Sequence, residues 1–105
     1  MDAVFRALGS PDRRRILDIV KNEPGCNVNA VSAHFETSRI AVMKHLRILE
    51  EAGLIHSEKS GRERRLYFDP VPIQIIYDRW TTEFSALWAR RLTRVKYAVE
   101  EEGEI

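Results

Sequence analysis

The sequence has few of the residues and patterns that mark secreted, disulfide-bonded or membrane proteins. Cys26 is the only cysteine, so the chain can form neither an internal disulfide nor a four-cysteine zinc site. No apolar stretch approaches the roughly 20 residues that cross a bilayer. The first residues lack the basic and apolar blocks of a secretory signal. We therefore expect a cytoplasmic protein without a membrane partner.

Charge is balanced overall but unevenly distributed along the chain. The 105 residues carry a net charge of +1. Residues 39–68 hold seven basic and four acidic side chains, whereas residues 69–105 hold five basic and seven acidic ones. A basic segment in a neutral chain can be the footprint of a polyanion such as DNA, but a solvated surface gives the same pattern. Charge alone leaves both possibilities open.

Capping residues and apolar spacing divide the first half of the chain into four helices. Ser10, Asn27 and Ser38 each precede apolar residues at helical spacing, as N-cap residues do. Gly9 and Gly53 end the first and the fourth helix. The predicted helices cover residues 4–8, 11–21, 28–35 and 39–52. A short helix, a tight turn at residues 36–37 and a second capped helix form the helix-turn-helix pattern.

A hairpin and a long helix are predicted for the second half. Residues 54–59 and 64–68 are extended and flank a short link that contains Gly61, which indicates a β-hairpin. From Ile73 to about residue 100 the apolar residues return to helical spacing. We therefore expect one domain over residues 1–105. Its predicted fold is mainly α with a small hairpin, a winged helix-turn-helix in the order four helices, hairpin, fifth helix.

The fourth predicted helix has two chemically different sides. A helical wheel gives an inner, mostly apolar side made of Ala41, Val42, His45, Leu46, Ile48, Leu49 and Ala52. The outer side consists of Arg39, Ile40, Met43, Lys44 and Arg47, followed by Glu50 and Glu51. A recognition helix enters the major groove with its N-terminal half, which matches cations at that end and acids at the other. A solvated surface helix has the same amphipathic pattern, but the caps, the turn and the basic hairpin favour DNA.

Several residues of this helix have specific candidate roles. The three cations, Arg39, Lys44 and Arg47, can reach guanine edges or phosphates, and the two apolar residues can touch thymine methyl groups. Ser38 is the N-cap and could also reach a phosphate. His45 could contact DNA or a metal, but its place on the inner side favours a partly buried structural role. No histidine has metal-ligand partners at a suitable spacing, and His34 and His56 are isolated in the same way.

Basic residues also cluster at the predicted hairpin. A β-ribbon with such charge beside a recognition helix can lie along or in the minor groove. Alternation along the strand places Arg62 and Arg64 on one face and Arg65 on the other, so one set is expected to face DNA. The candidate DNA-binding residues are Ser38, Arg39, Ile40, Met43, Lys44, Arg47, Lys59, Arg62 and Arg64.

Three segments together resemble the ArsR-type winged-helix regulators. They are Ser10-Pro11-Asp12-Arg13-Arg14-Arg15-Ile16-Leu17, Ser38-Arg39-Ile40-Ala41-Val42-Met43-Lys44-His45-Leu46 and Leu49-Glu50-Glu51-Ala52-Gly53-Leu54. The resemblance continues through Gly61-Arg62-Glu63 and covers roughly residues 2–95. It depends on the combined spacing of these motifs. It implies a homodimer built from the first and last helices, two recognition helices on a palindromic operator, and repression as the usual output.

The chain departs from the metal-sensing members of that family. Those members carry a Cys-x-Cys motif in the helix before the turn, or an Asp/His set in the last helix. Here residues 28–35 contain no cysteine, and the last helix contains no histidine. The chain therefore resembles the metal-independent branch, with no metal site and no cofactor. Ile40 and Met43 replace the small residues or proline often found there, so an operator sequence cannot be carried over.

An aromatic stripe in the last predicted helix indicates a dimer interface. The 27 residues from Ile73 to Val99 would extend about 40 Å, which equals or exceeds the width of so small a core. Part of the stripe is therefore expected to pack on a second copy. The alternative is that the stripe completes the core of the monomer. The candidate interface residues are Phe5, Leu8, Trp80, Phe84, Leu87 and Trp88.

These patterns predict a sequence-specific DNA-binding transcription regulator, expected to act as a repressor. One alternative is a winged helix that binds a protein instead of DNA, since fold does not fix function; the basic recognition side and hairpin argue against it. The other alternative is an enzyme. No Ser/His/Asp, Cys/His or paired-carboxylate arrangement and no glycine-rich phosphate loop is evident, so no catalytic residue is proposed.

Overall fold

The computed structural model describes the backbone of residues 1–81 and 83–103 and the side chains of residues 1–81 and 88–100. Its helices are α1 (Asp2–Leu8), α2 (Pro11–Asn22), α3 (Val28–Ser32), α4 (Arg39–Glu51), α5 (Val71–Trp80) and α6 (Glu83–Gly103). The strands β1 (Ile55–Ser60) and β2 (Glu63–Phe68) pair as an antiparallel hairpin between α4 and α5. The predicted mainly α fold with a small hairpin after four helices is confirmed.

All three predicted N-caps are present. The side-chain oxygens of Ser10, Asn27 and Ser38 each accept a hydrogen bond from the backbone N–H three residues later, at 3.3, 2.8 and 3.2 Å. Pro11 follows the first of them at the first helical position, where its missing N–H costs nothing. Local chemistry therefore sets where α2, α3 and α4 begin.

The end of α4 fixes where the hairpin starts. Gly53 has a φ of +75°, a conformation that is strained for residues with a side chain. Its N–H donates to the Glu50 carbonyl, and the N–H of Leu54 donates to the Leu49 carbonyl, each at 3.0 Å. This pair of bonds is the Schellman motif. The chain leaves α4 at a defined angle and enters β1 at once.

The first compact unit, Met1–Ile73, has α4 at its centre. This helix contacts α1, α2, α3 and β1. Apolar residues from these elements and from β2 fill the core: Ala7, Ile16, Val20, Val31, Val42, Leu49, Leu54, Ile55 and Leu66. Burying one large aliphatic side chain stabilises the fold by about 1.5–3 kcal/mol. Packing of its inner side therefore fixes α4 in place, and the outer side of this helix is not needed for the core.

The third helix is shorter than the sequence predicts. It ends at Ser32 instead of Phe35. The N–H groups of His34 and Phe35 donate to carbonyls three residues earlier, at 3.1 and 3.0 Å, so the chain tightens into a 3₁₀-type turn. Phe35 remains half-buried, with its ring centroid 4.8 Å from the Arg15 guanidinium. Apolar spacing alone could not separate this turn from a longer α-helix.

The predicted fifth helix is two helices. α5 ends at Trp80 and α6 begins at Glu83. The Thr81 hydroxyl donates to the carbonyl of Tyr77, which gives an acceptor of the last turn a side-chain partner. Threonine is also a poor helix former, a signal that the strong apolar spacing concealed. A second compact unit begins at Gln74. Within the described residues, no helix combines the length and hydropathy of a bilayer span.

Candidate nucleic-acid interface

The outer side of α4 presents the residues that the wheel assigned to it. Arg39, Ile40, Met43, Lys44 and Arg47 are all exposed. The two apolar residues among them retain 68% and 42% of their accessible surface. All seven residues assigned to the inner side are buried or half-buried. The helix therefore offers both positive charge and apolar contact area to a partner, on a backbone held in place by the core.

Ser38 is positioned at the exposed N-terminus of the same helix. Its Oγ accepts from the N–H of Ala41 at 3.2 Å, which confirms the cap. A helix N-terminus also favours a bound phosphate, because its free N–H groups and the helix dipole attract negative charge. Both interpretations of Ser38 remain compatible.

The hairpin, hereafter the wing, closes with the two-residue turn Gly61-Arg62. Ser60 pairs with Glu63 across the turn. Gly61 has a φ of +63°, while Arg62 does not take a positive φ, as in a type II′ turn. Arg62 thus lies at the tip of the wing and not on a strand face. The predicted alternation that placed Arg62 and Arg64 on one face is therefore wrong.

Arg64 occupies the face of the wing that packs toward the core. It lies opposite Lys59 in the ladder and shares its face with the buried Leu66. Its Nη2 donates to Ser57 Oγ at 2.8 Å and lies 3.6 Å from Glu50 Oε1 at the C-terminal end of α4. In the free protein, Arg64 thus links the wing to α4. Its charge is partly compensated by a carboxylate distant in sequence, which no local pattern could show.

Strand β2 of the wing is also tied to the segment before α3. The N–H of Leu66 donates to the Cys26 carbonyl, and the N–H of Gly25 donates to the Leu66 carbonyl, both at 2.8 Å. Asn27 Nδ2 donates to Glu63 Oε1 at 3.3 Å. These bonds hold the wing beside the helix-turn-helix, and the basic residues of both elements belong to the same compact unit.

His45 has the partly buried structural position that the wheel favours. Its side chain is 27% exposed, and its Nε2 lies 3.9 Å from Asp12 Oδ2. Its Nδ1 faces the guanidinium of Arg13, whose Nε donates to the Ala7 carbonyl at 2.9 Å. Sequence reasoning missed Arg13. The Arg-Arg-Arg run after the α2 cap was a signal, but it did not show which arginine faces inward.

His56, which the sequence describes as isolated from metal-ligand partners, pairs in the structure with one carboxylate. Its Nε2 lies 2.7 Å from Asp69 Oδ2, and Asp69 Oδ1 accepts from the N–H of Val71 at 2.9 Å. The hydrogen bond with His56, followed by that from Val71, lowers the pKa of Asp69 below its usual value. The carboxylate therefore links the base of the wing to the start of α5. His34 is exposed on the surface.

Metal ligands are not grouped in the part of the chain that the structure describes. No cluster of three or more His, Cys, Asp or Glu residues there is arranged to hold an ion. Cys26 is half-buried, and this burial, aided by the nearby Glu23 carboxylate, raises the pKa of its thiol. Since the thiolate is the form that binds a metal, binding at Cys26 would require loss of this proton.

The residues predicted for the dimer interface are accessible in the single chain where they are described. Phe5, Trp80 and Trp88 retain 48%, 57% and 48% of their surface, and Leu8 is half-buried. The side chains of Phe84 and Leu87 lie outside the described residues. α5 contains no buried residue at all.

The fold and the exposed side of α4 define a winged helix-turn-helix protein. Residues 8–58 match the family described as a helix-turn-helix domain. In Bacillus subtilis, the uncharacterized HTH-type transcriptional regulator YuzN is 34% identical over 85 residues, which span 75% of this chain and 92% of the relative. The transcriptional repressor SdpR of the same organism is 36% identical over 64 residues, 59% of this chain and 68% of the relative.

A solved structure gives the same assignment. The crystal structure of the ArsR family transcriptional regulator RHA00566 superimposes on this chain with a TM-score of 0.70 at 30% sequence identity. The match covers 84% of this chain and 89% of that regulator. The chain belongs to the ArsR family of helix-turn-helix transcriptional regulators, and its role is DNA-binding regulation.

Proposed function

We propose that this protein is a sequence-specific transcriptional repressor that binds a palindromic operator as a homodimer. The observation that carries the proposal is the outer side of α4, where three cations and two apolar side chains are exposed on a helix fixed by the core. A repressor is among the similar proteins, SdpR, which supports repression as the output here.

In this proposal the N-terminal half of α4 lies in the major groove. Arg39, Lys44 and Arg47 contact guanine edges or phosphates, and Ile40 and Met43 contact thymine methyl groups. Ser38, at the helix N-terminus, receives a phosphate. The acidic end of α4, which carries the Glu50 carboxylate bound to Arg64, faces away from the phosphates.

The wing contributes contacts that do not depend on base sequence. Arg62 at its tip and Lys59 on β1 are exposed, and both can pair with phosphates beside the minor groove. Arg64 binds Glu50 and Ser57 in the free protein. We assign it a double role, in which it positions the wing against α4 and adds positive charge to the interface.

The homodimer is proposed to form through α1 and the C-terminal segment of about residues 73–100. Described aromatic residues of these elements, Phe5, Trp80 and Trp88, are about half exposed in the single chain. Each buried aromatic removes about 150–250 Å² from water, so a few of them supply a large part of a stable interface. Leu8, Phe84 and Leu87 are assigned to the same interface. Two copies would present two α4 helices about 34 Å apart, one turn of DNA.

Regulation by metal is not part of the proposal. Among the described residues, no three or more His, Cys, Asp or Glu side chains are grouped to hold a metal ion. Zinc, cadmium or arsenite should therefore leave DNA affinity unchanged. A tenfold change, equivalent to about 1.4 kcal/mol of coupling, would show that a sensing site exists.

Fluorescence anisotropy with labelled genomic DNA fragments tests the proposed function. The chain should bind at low salt and weaken steeply as salt rises, because phosphate contacts release counterions. Arg39→Gln combined with Lys44→Gln should weaken binding strongly. Lys21→Gln, an exposed position at the end of α2, is the control and should bind as the unmodified chain does. Absence of binding would favour a protein-binding winged helix instead, and equal binding by all three proteins would place the DNA contact away from Arg39 and Lys44.

A further inference from the structure

A pocket of about 470 Å³ lies between α4 and the wing. This volume falls within the range of about 300–1,000 Å³ typical of small-molecule sites. All of its lining belongs to the first compact unit. The lining residues are Val28, Ile40, Met43, Lys44, Leu46, Arg47, Glu50, Arg64 and Leu66.

The floor of the pocket is apolar. Val28, Leu46 and Leu66 are buried core residues, at 9%, 4% and 1% exposure. Ile40 and Met43 form walls that are largely exposed. A phosphate gains nothing from an apolar floor, whereas a ligand with a hydrocarbon body gains about 25 cal/mol for each Å² it removes from water. The floor therefore favours an organic ligand with an apolar body.

The rim of the pocket is cationic. Arg64 and Glu50, 3.6 Å apart, partly compensate each other's charge. Arg47 lies 3.4 Å from Glu51, but both side chains are mostly in water, where such a pair contributes little. Lys44 makes no ion pair with any described residue. An anion entering the pocket would thus meet the charges of Lys44 and Arg47 with little competition.

We propose that this pocket binds a small organic monocarboxylate with an acyl or aromatic body, and that the ligand competes with DNA. The apolar body lies on the floor, and the carboxylate pairs with Lys44 and Arg47. Competition follows because Ile40, Met43, Lys44 and Arg47 would serve both partners. The competition with DNA rests on the proposed function, whereas the binding of the carboxylate to the pocket does not.

Methyl NMR on the full chain tests the pocket directly. The sequence has two methionines, of which Met43 lines the pocket and Met1 does not, so Met1 is an internal control. Decanoate should shift the Met43 methyl signal saturably and leave Met1 unchanged. Acetate, with the charge but no body, should produce no shift, and decanol, with the body but no charge, should bind about tenfold more weakly. 1-Naphthoate distinguishes an aromatic from an acyl body.

Two results would contradict the proposal that this pocket binds a carboxylate. One is the absence of a Met43 shift with both decanoate and 1-naphthoate, and the other is an equal shift of the two methionines. A matched pair of variants tests the charge: Lys44→Gln should weaken decanoate binding about tenfold, while Lys21→Gln should change it less than about twofold. Equal effects in the two variants would also contradict the assignment.

Competition is measured by adding decanoate to the DNA-binding assay. The apparent Kd for DNA should rise in proportion to pocket occupancy, as determined by the Met43 shift. Unchanged DNA affinity at saturating decanoate would contradict the proposal that the ligand competes with DNA. The NMR assay contains no DNA, so a chain that failed to bind DNA would contradict the proposed function while the Met43 signal still decided whether the pocket binds its ligand.

Discussion

The guanidinium of Arg13 lies 3.3 Å from Nδ1 of His45, and this contact joins α2 to the inner side of α4. The same guanidinium donates to the carbonyls of Arg6 and Ala7 at the end of α1, at 3.0 and 2.9 Å. One side chain thereby connects three helices. It holds the proposed recognition helix against the element that carries Phe5, a proposed dimer residue.

Replacing Arg13 should destabilise the fold more than replacing its neighbour. Arg13→Ala removes three polar contacts in a part-buried site and should lower the free energy of unfolding by about 1–3 kcal/mol. Arg14 makes a single exposed bond, to the Leu8 carbonyl at 2.7 Å, so Arg14→Ala should cost less than about 1 kcal/mol. Urea unfolding followed by circular dichroism measures both. Equal losses of unfolding free energy in the two variants would mean that the Arg13 contacts stabilise the fold no more than the exposed bond of Arg14 does.

The Asp69–His56 pair should make stability depend on pH in the acid range. Because the pKa of Asp69 is lowered in the folded protein, the carboxylate stabilises the fold above its unfolded pKa. That contribution is lost as pH falls through the folded value. The advantage in Tm of the unmodified chain over Asp69→Asn should therefore shrink as pH falls below about 4.

A direct titration of the carboxyl group checks the cause. By NMR, His56→Ala should raise the pKa of Asp69 toward its ordinary value, since His56 is the largest cause of the shift. An Asp69 pKa that His56→Ala left unchanged would contradict the assignment. So would a Tm difference that grew as pH fell.

The parts of the fold that sequence could predict are those set by local chemistry. Ser10, Asn27 and Ser38 begin their helices as predicted, because a cap needs only a side-chain oxygen and an N–H three residues away. Gly53 likewise ends α4 because only glycine adopts its φ readily. Such features lie within a few residues and can be recognised in a single sequence.

The parts that sequence could not predict depend on small energies or on distant contacts. α5 ends at Trp80, directly before Thr81. Threonine has low helix propensity, but the apolar spacing on both sides outweighed this signal in the prediction. Arg62 lies in the turn because the hairpin loop has two residues: β1 ends one residue later than predicted, at Ser60, and β2 begins one residue earlier, at Glu63. The pairing of Arg64 with Glu50 required the wing to fold back onto α4, and no periodicity contains that information.

The helix and the wing should contribute differently to DNA binding. If α4 reads bases, Arg39→Ala or Arg47→Ala should cost about 1–3 kcal/mol on the best operator and less on random DNA. Arg62→Ala should weaken binding to both DNAs about equally and reduce the salt slope by about one phosphate contact. Anisotropy titrations at several salt concentrations separate these patterns. The same loss on both DNAs for every variant would make α4 a phosphate clamp.

Charges placed in the proposed dimer interface should separate the subunits. Trp80→Glu with Trp88→Glu should give a folded monomer by sedimentation velocity, since both residues are about half exposed in the single chain. The matched control, Trp80→Phe with Trp88→Phe, keeps apolar rings and should remain dimeric. A folded glutamate variant that stays dimeric would place the interface elsewhere.

A second measurement keeps the dimer testable if the glutamate variant does not fold. The Tm of the unmodified chain should rise with protein concentration, because association stabilises the folded state by mass action. A Tm independent of concentration, together with a monomeric sedimentation profile, would contradict a homodimer.

Selection of bound duplexes from a random DNA pool tests the central claim most directly. Repeated binding and amplification with the unmodified chain should enrich one palindromic motif, with half-sites centred about 10–10.5 base pairs apart, because two α4 helices would meet successive turns of the same face. An Arg39→Ala variant selected in parallel should relax the preference at the base pairs that Arg39 contacts. A pool with no enriched motif, or with single half-sites only, would contradict a dimeric, sequence-specific repressor.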